Sequence, residues 1–533
     1  MKKIIIAVAQ ALGIMALVAH GQAGAQSTTP VVETDRGQVQ GLEQDGVDAF
    51  LGIRYAAPPL GELRFQPPQP ADAWRGIADA TGRGAPCMQL YTPSGTRTTD
   101  LTRQIQAIFP TGTEAKIDNE DCLFLNVWTP DASAGKRPVM VWFHGGGYVY
   151  GSGNWPAYDG RNLAEKGDVV VVTVNHRLNA FGYLNLAEIF GEDFAASGNV
   201  GNLDLVRSLE WVRDNIAAFG GDPDNVTIMG ESGGGSKVSH LMAMPAAKGL
   251  FHKAVVQSGP GVKSGDPAKA TDYARKILEA AGVATQDDLR NLGAEALITA
   301  VRKATPASPG FGQGPTFGPI ADGNIVPRDP FLPTAPEQSR EVPLLIGYNK
   351  DEMTIFVASQ PWFGVIDEAQ LDAMTAMMGD EASAVVAAYR EMYPDYSPSH
   401  LAAIAMGARF VRGTYLLADQ QSRSANAPVF VYRLTWETPV GDGILRTPHT
   451  LDIPLMFDNA KESAALVGSG EDAAVMAEMM SDAWIAFAKS GRPSSKLLPQ
   501  WEPYTPEGRM VMELAPTPRI ADDPERTIRT IGR

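Results

Sequence analysis

The chain has 533 residues, of which 44% are hydrophobic and 20% are charged. This composition is that of a globular protein and excludes wholesale disorder, and the length allows one large α/β domain. With 45 basic and 61 acidic residues, the formal net charge is −16. So acidic a chain lacks the positive surface with which proteins bind nucleic acid or anionic membranes, and both partners are excluded.

The first 25 residues have the organisation of a secretory signal peptide. Two lysines follow Met1, an apolar stretch runs over residues 4–19, and Ala23-Gly24-Ala25 matches a small-residue cleavage site. A transmembrane anchor is the alternative, but Gln10 and Gly13 interrupt the apolar stretch. We therefore expect an exported protein, periplasmic or secreted. We also expect no membrane span in the mature chain, because no later segment is predicted to be long and apolar enough to cross a bilayer.

Strand and helix signals then follow in an order typical of α/β proteins. Short β-type runs broken at Arg36-Gly37 and Asp45-Gly46 predict hairpins near the start of the mature chain. Apolar runs predict strands of a mostly parallel sheet at residues 139–143, 169–174, 226–229, 254–256, 343–346 and 429–434. Helical spacing of apolar residues predicts helices over 205–216 and 472–489. We expect a single domain over residues 26–533.

Cys87 and Cys122 are the only cysteines of the chain. In an exported protein an isolated pair predicts one disulfide bond, and two buried thiols are the alternative. Closing a loop of this length would stabilise the fold by ~4 kcal/mol in the chain-entropy model.

Gly230-Glu231-Ser232-Gly233-Gly234 matches the pattern Gly-x-Ser-x-Gly. A strand is predicted before it and a helix-compatible segment follows it, which is the arrangement of a nucleophile elbow. The glycines allow the tight turn, and the helix N-terminus favours an oxyanion beside Ser232. An ordinary glycine-rich turn between a strand and a helix is the alternative.

A second glycine-rich segment, His144-Gly145-Gly146-Gly147-Tyr148, follows the apolar run that ends at Phe143. Consecutive glycines leave backbone N–H groups unobstructed, as an oxyanion hole requires. A phosphate-binding loop is the alternative, but the pattern Gly-x₄-Gly-Lys-Ser/Thr is absent from the sequence. Residues 145–147 are called the glycine loop below.

A nucleophilic serine needs a base, which is most often histidine. Where a nucleophile elbow is present, the base follows the acid towards the C-terminus, which leaves His400 and His449. His449 follows a loop containing glycine and proline, whereas His400 lies in a polar Ser-Pro-Ser stretch. His449 is the preferred candidate.

These motifs together resemble the type-B carboxylesterase family, which includes cholinesterases and bacterial para-nitrobenzyl esterases. The resemblance runs over residues 35–504 and includes ordered motifs at residues 50–56, 120–127, 219–223 and 484–491. It implies an α/β-hydrolase fold, in which helices flank a large, mostly parallel central sheet and long loops are inserted.

The resemblance also implies a Ser-Glu-His triad. Its nucleophile matches Ser232, its histidine matches His449, and its acid matches Glu352 rather than the adjacent Asp351. Met353 stands where the family usually has glycine. The implied oxyanion donors are the N–H groups of Gly146, Gly147 and Gly233, the last replacing the family's usual alanine. The implied structural pairs are the disulfide Cys87–Cys122 and the ion pairs Arg64–Glu120 and Arg177–Asp204.

These inferences predict an exported serine carboxylesterase that hydrolyses small-molecule esters through an acyl-enzyme. No metal or organic cofactor is expected, because the sequence has no His-Glu-x-x-His, EF-hand or paired Cys-x-x-Cys pattern. Two alternatives stay open. One is a non-catalytic, cholinesterase-like binding protein, which would have lost the serine. The other is a serine peptidase on the same fold, which would use the same three residues.

Overall fold

The computed structural model describes residues 27–90, 100–110, 118–305 and 317–532. The predicted signal peptide and its cleavage site lie outside these residues. The strands are β1 (Ser27–Glu33), β2 (Gln38–Gln44), β3 (Val47–Arg54), β4 (Ile77–Asp79), β5 (Phe124–Thr129), β6 (Arg137–Phe143), β7 (Val170–Val174), β8 (Gly221–Glu231), β9 (Lys253–Gln257), β10 (Leu344–Asn349), β11 (Val429–Leu434), β12 (Met510–Leu514) and β13 (Arg519–Asp522).

Helices lie between most of these strands. They are α1 (Asp100–Ile108), α2 (Arg161–Gly167), α3 (Asn179–Tyr183), α4 (Ala187–Phe190), α5 (Val200–Asn215), α6 (Gly233–Ala243), α7 (Pro267–Ala281), α8 (Gln286–Asn291), α9 (Ala294–Ala304), α10 (Thr354–Val357), α11 (Glu368–Met378), α12 (Asp380–Met392), α13 (Pro398–Ser424), α14 (Asp452–Met456), α15 (Ala464–Val467), α16 (Glu471–Ser490) and α17 (Arg526–Thr530).

Within the described residues the strands form one sheet, in the order β1-β2-β3-β5-β7-β6-β8-β9-β10-β11-β12-β13, with β4 paired to β2. The central strands from β7 to β12 are parallel, and antiparallel pairs flank them on both sides. The predicted strands and the two predicted helices are confirmed, as is the mostly parallel sheet. Because the central strands are parallel, their carboxyl ends meet at one edge, where ligands bind in open α/β sheets.

Strand β6 shows why the central runs are continuously apolar. Val139, Val141 and Phe143 pack into the core on one face of the sheet. Met140 and Trp142 pack into the core on the other face. Since side chains alternate between the faces of a strand, covering both faces with helices requires apolar residues at every position.

Covalent and ionic links secure the segments around this sheet. Cys87 and Cys122 form a disulfide bond, with Cα atoms 4.9 Å apart. Both implied ion pairs are present as two-point contacts. The shortest nitrogen-to-oxygen distance is 2.5 Å for Arg64–Glu120 and 2.7 Å for Arg177–Asp204.

One described helix, α13, is long and apolar enough to cross a membrane by length and composition, with a mean hydropathy of 1.2 over its most apolar window. The expectation that no later segment would meet these criteria was therefore wrong. Of that window, 67% is buried inside the protein. Helices of protein cores pass the same test, because they too are surrounded by apolar side chains.

The buried ion pair Arg177–Asp204 should contribute more to the free energy of unfolding than an exposed ion pair does. Arg177 and Asp204 are almost fully buried, whereas Arg213 and Asp214 are largely exposed. Replacing Asp204 by Asn leaves a buried guanidinium without its partner, so we expect the free energy of unfolding to fall by about 3–5 kcal/mol. The matched Asp214→Asn variant should lose less than about 1 kcal/mol. Denaturant titration measures both values, and equal losses would contradict the argument.

Candidate active site

Ser232 lies at a strained turn between β8 and α6, with a φ of 58°. A Cβ atom on Gly234 would lie 2.0 Å from the Phe143 carbonyl oxygen, and one on Gly230 would lie 2.5 Å from the Gly234 carbonyl carbon. Only glycine fits at these two positions, because α6 begins directly against the end of β6. Steric exclusion therefore explains the motif's glycines. The positive φ of Ser232, which is not a glycine, marks a turn that its surroundings hold in place.

Neighbouring backbone fixes the serine. The Ser232 N–H donates a hydrogen bond to the Gln257 carbonyl oxygen at 2.8 Å. A Cβ on Gly259 would lie 1.8 Å from the Ser232 carbonyl oxygen, so the segment after β9 also packs closely against the turn. The serine itself is partly exposed, although it stands among buried residues. It is thus rigidly held at the edge of the sheet and accessible from outside.

The glycine loop lies against the first turn of α6. Gly146 and Gly147 have φ angles of 89° and 57°, which favour glycine. A Cβ on Gly233 would lie 2.7 Å from the Gly147 nitrogen, so the two backbone segments are in close contact. Among the described residues, none accepts a hydrogen bond from the N–H of Gly146, Gly147 or Gly233. Three donors near Ser232 are therefore available to an oxygen atom.

Glu352 and His449 are in direct contact. Glu352 Oε2 lies 2.5 Å from His449 Nδ1, and both side chains are buried. The other carboxylate oxygen accepts a hydrogen bond from the Asn349 N–H at 2.9 Å. The rings of Phe356 and Phe410 lie 5.2 and 5.3 Å from the imidazole, measured between centroids. The imidazole is therefore held between an acid and two aromatic rings.

The adjacent acid, Asp351, has different partners. Its carboxylate accepts hydrogen bonds from the Tyr396 hydroxyl at 2.8 Å and from the Thr447 N–H at 3.3 Å. The rejected base, His400, lies in the first turn of α13 and contacts Ser397 Oγ. Of the two neighbouring acids, the structure brings Glu352 to His449, and it gives Asp351 another set of contacts.

Two buried carboxylates near His449 were not singled out from the sequence. Glu231 Oε1 lies 3.0 Å from His449 Nε2, although no group among the described residues forms an aligned hydrogen bond with this oxygen. Asp452 accepts hydrogen bonds from Gln257 Nε2 at 2.8 Å and from the Tyr432 hydroxyl at 2.9 Å. Glu231 could have been noticed as the residue before the serine, whereas nothing in the local sequence points to Asp452.

The clustered charges shift the pKa values of this site. Burial raises the pKa of Glu231 to about 8, although His449 opposes the shift. Burial would lower the pKa of His449, but the carboxylates of Glu231 and Glu352 outweigh it and raise the pKa to about 9. The imidazolium is therefore stabilised from both sides of the ring.

Within residues 27–90, 100–110, 118–305 and 317–532, no group of three or more His, Cys, Asp or Glu side chains could hold a metal ion. The carboxylates around His449 are bound instead by the imidazole and by hydrogen-bond donors such as Gln257 and Tyr432.

Residues 28–529 match the sequence model of the carboxylesterase family. The chain belongs to the carboxylesterase family. It therefore has the α/β-hydrolase fold, and it is a carboxylic ester hydrolase.

Individual carboxylesterases resemble the chain over almost their whole length. A para-nitrobenzyl esterase of Bacillus subtilis is 36% identical, covering 93% of this chain and 97% of that protein. A crystal structure of a carboxylesterase of Geobacillus stearothermophilus gives a TM-score of 0.80 at 36% identity, covering 94% of this chain and 100% of that one. An esterase from Clostridium hathewayi, described as able to hydrolyse aliphatic aromatic polyesters, gives a TM-score of 0.77 at 31% identity, with coverages of 95% and 99%.

The carboxylates of Glu231 and Glu352 predict how the pKa of His449 responds to substitution. Glu231→Gln removes a negative charge next to the imidazole, so the imidazolium loses stabilisation and the pKa of His449 should fall. The ring signal of His449 in an NMR titration gives this pKa, and a His449→Gln variant identifies the signal.

Asp351→Asn is the matched control, because it also removes a buried carboxylate but one that faces Tyr396. We expect the pKa of His449 to change little in this variant. An unchanged or higher pKa in Glu231→Gln would contradict the assignment of the charges.

Proposed function

We propose that the protein is an exported serine carboxylesterase that hydrolyses small-molecule esters with Ser232 as nucleophile, His449 as base and Glu352 as acid. The contact of 2.5 Å between Glu352 Oε2 and His449 Nδ1 carries the proposal. An acid at Nδ1 selects the tautomer in which Nε2 can accept a proton. The strained position of Ser232 at the carboxyl end of β8 supports the nucleophile assignment.

The proposed reaction uses these residues in two half-reactions. Ser232 Oγ attacks the ester carbonyl carbon while His449 Nε2 takes the hydroxyl proton, and Glu352 stabilises the imidazolium that forms. The N–H groups of Gly146, Gly147 and Gly233 hold the negative oxygen of the tetrahedral intermediate. As the intermediate collapses, the imidazolium gives its proton to the departing alcohol, leaving an acyl-enzyme.

Water then attacks the acyl-enzyme in a second half-reaction that uses the same groups. His449 takes a proton from the attacking water, the same N–H groups hold the second oxyanion, and the carboxylic acid leaves as Ser232 regains its proton. Glu231, next to the serine, lies 3.0 Å from His449 Nε2 and helps to stabilise the imidazolium. The base must be neutral to act, so activity should rise with pH through the titration of His449.

The nucleophile is tested by Ser232→Ala. Removing the hydroxyl should lower kcat for a p-nitrophenyl ester by a factor on the order of 10⁶, with the melting temperature retained. An organophosphate should label the wild-type enzyme at Ser232, as located by peptide mapping. Activity close to wild type in the variant, or a label elsewhere, would refute the assignment. A p-nitroanilide of the same acyl group, assayed in parallel, distinguishes an esterase from a peptidase.

The acid is tested by a matched pair of substitutions. Glu352→Gln removes the charge beside His449 Nδ1 and should lower kcat by about 10³–10⁴-fold. Asp351→Asn, one position away, should change kcat by less than about tenfold, because its carboxylate contacts Tyr396 and Thr447. Steady-state kinetics on one ester measure both variants. The opposite ranking would show that Asp351 is the acid.

The export part of the proposal rests on the sequence of residues 1–25. Expressed in a bacterium with its leader, the protein should be recovered outside the cytoplasm with an N-terminus at or near Gln26, because the Ala-x-Ala site is cleaved during export. N-terminal peptide mass spectrometry of cytoplasmic and exported fractions measures this. A retained Met1 in exported protein would contradict it.

A further inference from the structure

A buried lysine stands on the helix that follows the nucleophile. Lys237 lies in α6, five residues after Ser232, and its side chain is fully buried. Burial lowers its pKa well below the ordinary value. In the part of the chain that the structure describes, no acidic side chain forms an ion pair with it. An unpaired lysine in a protein core is costly, and an apolar side chain of the same length would avoid that cost.

The groups around the lysine are basic or neutral. The imidazoles of His144 and His176 stack with centroids 4.7 Å apart. Burial lowers the pKa of both rings, and the nearby lysine lowers it further. Among the described residues, this side of α6 therefore has no ion pair such as Arg64–Glu120 or Arg177–Asp204. Pairing with an acid does not account for the presence of Lys237.

The lysine contacts both ends of the glycine loop. Its Nζ donates a hydrogen bond to the carbonyl oxygen of His144, the residue before the loop, at 2.8 Å. The same nitrogen lies 5.3 Å from the ring centroid of Tyr148, the residue after the loop. At this distance an amine N–H group can interact with the face of the ring. One side chain thus holds the two residues that bracket Gly145, Gly146 and Gly147.

The loop needs such support because glycine backbone is flexible. Gly146 and Gly147 adopt positive φ angles, and a Cβ on Gly145 would lie 3.3 Å from Ser232 Cβ. A small displacement of this segment would therefore move its N–H groups relative to the serine. The Tyr148 hydroxyl also donates to Ser236 Oγ at 2.7 Å, so the far end of the loop is fastened to α6 a second time.

We propose that Lys237 is a positioning residue for ester hydrolysis, which fixes the glycine loop so that its N–H groups face the oxyanion formed at Ser232. The inference rests on the proposed function, which assigns those N–H groups to the oxyanion. Lys237 acts through the loop backbone. Because the oxyanion exists only in the tetrahedral states, removing the lysine lowers kcat and leaves KM nearly unchanged.

The test compares two buried lysines. Lys237→Met keeps the length of the side chain and removes its donors, and kcat for a p-nitrophenyl ester is expected to fall about 10- to 100-fold with KM within about twofold. The affinity for a trifluoromethyl ketone, which forms an oxyanion adduct with serine, is expected to weaken by a similar factor. A ground-state competitive inhibitor keeps its affinity.

Lys253→Met is the matched control. Lys253 is also buried, burial lowers its pKa, and its Nζ donates to Asn225 Oδ1. It starts β9, whereas the proposed nucleophile lies at the carboxyl ends of the strands. This variant is expected to lower the melting temperature while kcat and KM stay at wild-type values. If kcat falls in both variants in proportion to the loss of melting temperature, the effect is one of stability and the proposal is overturned.

Further outcomes are distinguishable. If Lys237→Met does not fold, Lys237→Gln, which keeps one N–H donor, is expected to lose about 3- to 10-fold in kcat at unchanged KM. Wild-type kcat in either folded variant at position 237 would overturn the positioning role. A fully active Lys237→Met beside an inactive Ser232→Ala would refute this inference alone, whereas an active Ser232→Ala would refute the proposed function.

Discussion

The geometry of the site depends on the close backbone packing between the start of α6 and the end of β6. Cβ atoms on Gly230 and Gly234 would meet backbone, so two positions of the turn can only be glycine. The close approach holds Ser232 between them with a positive φ angle. It also brings Gly233, at the start of α6, against Gly147 of the glycine loop, which follows β6. The helix and the loop therefore meet beside Ser232. Strain of this kind persists only where the surroundings over-determine the backbone.

A second constraint is the burial of charge at the edge of the sheet. Glu231, Glu352 and Asp452 are all buried around one imidazole. Like charges so close together oppose ionisation of one another, and the imidazole and a few hydrogen-bond donors compensate them. Such an arrangement favours proton transfer over stability, a compromise typical of active sites. The two-point ion pairs elsewhere in the protein show the opposite arrangement, in which each charge has its partner.

The sequence predicted those features that depend on neighbours along the chain. The strand runs and the elbow around Ser232 are local patterns, and the α/β class with its mostly parallel sheet followed from them. The α/β-hydrolase fold itself was implied by the family resemblance. The distinction between Glu352 and Asp351 came from a family motif, because both acids are buried and periodicity does not separate them.

Features formed by contacts between distant segments could not be found in this way. Lys237 meets a carbonyl 93 residues away, and Asp452 meets Gln257 across 195 residues. Neither contact leaves a repeating signal in the sequence. The apolar composition of α13 was missed for a related reason, since a core helix and a membrane helix differ in what surrounds them rather than in composition.

The contact between Glu352 and His449 joins residues 97 positions apart, and it lies far downstream of the turn at Ser232. During synthesis the elbow and the glycine loop therefore leave the ribosome well before His449. Large domains fold through intermediates as their segments become available. If Ser232, Glu352 and His449 act together as proposed, a chain that stops before His449 contains the nucleophile but no base, so it should have no esterase activity.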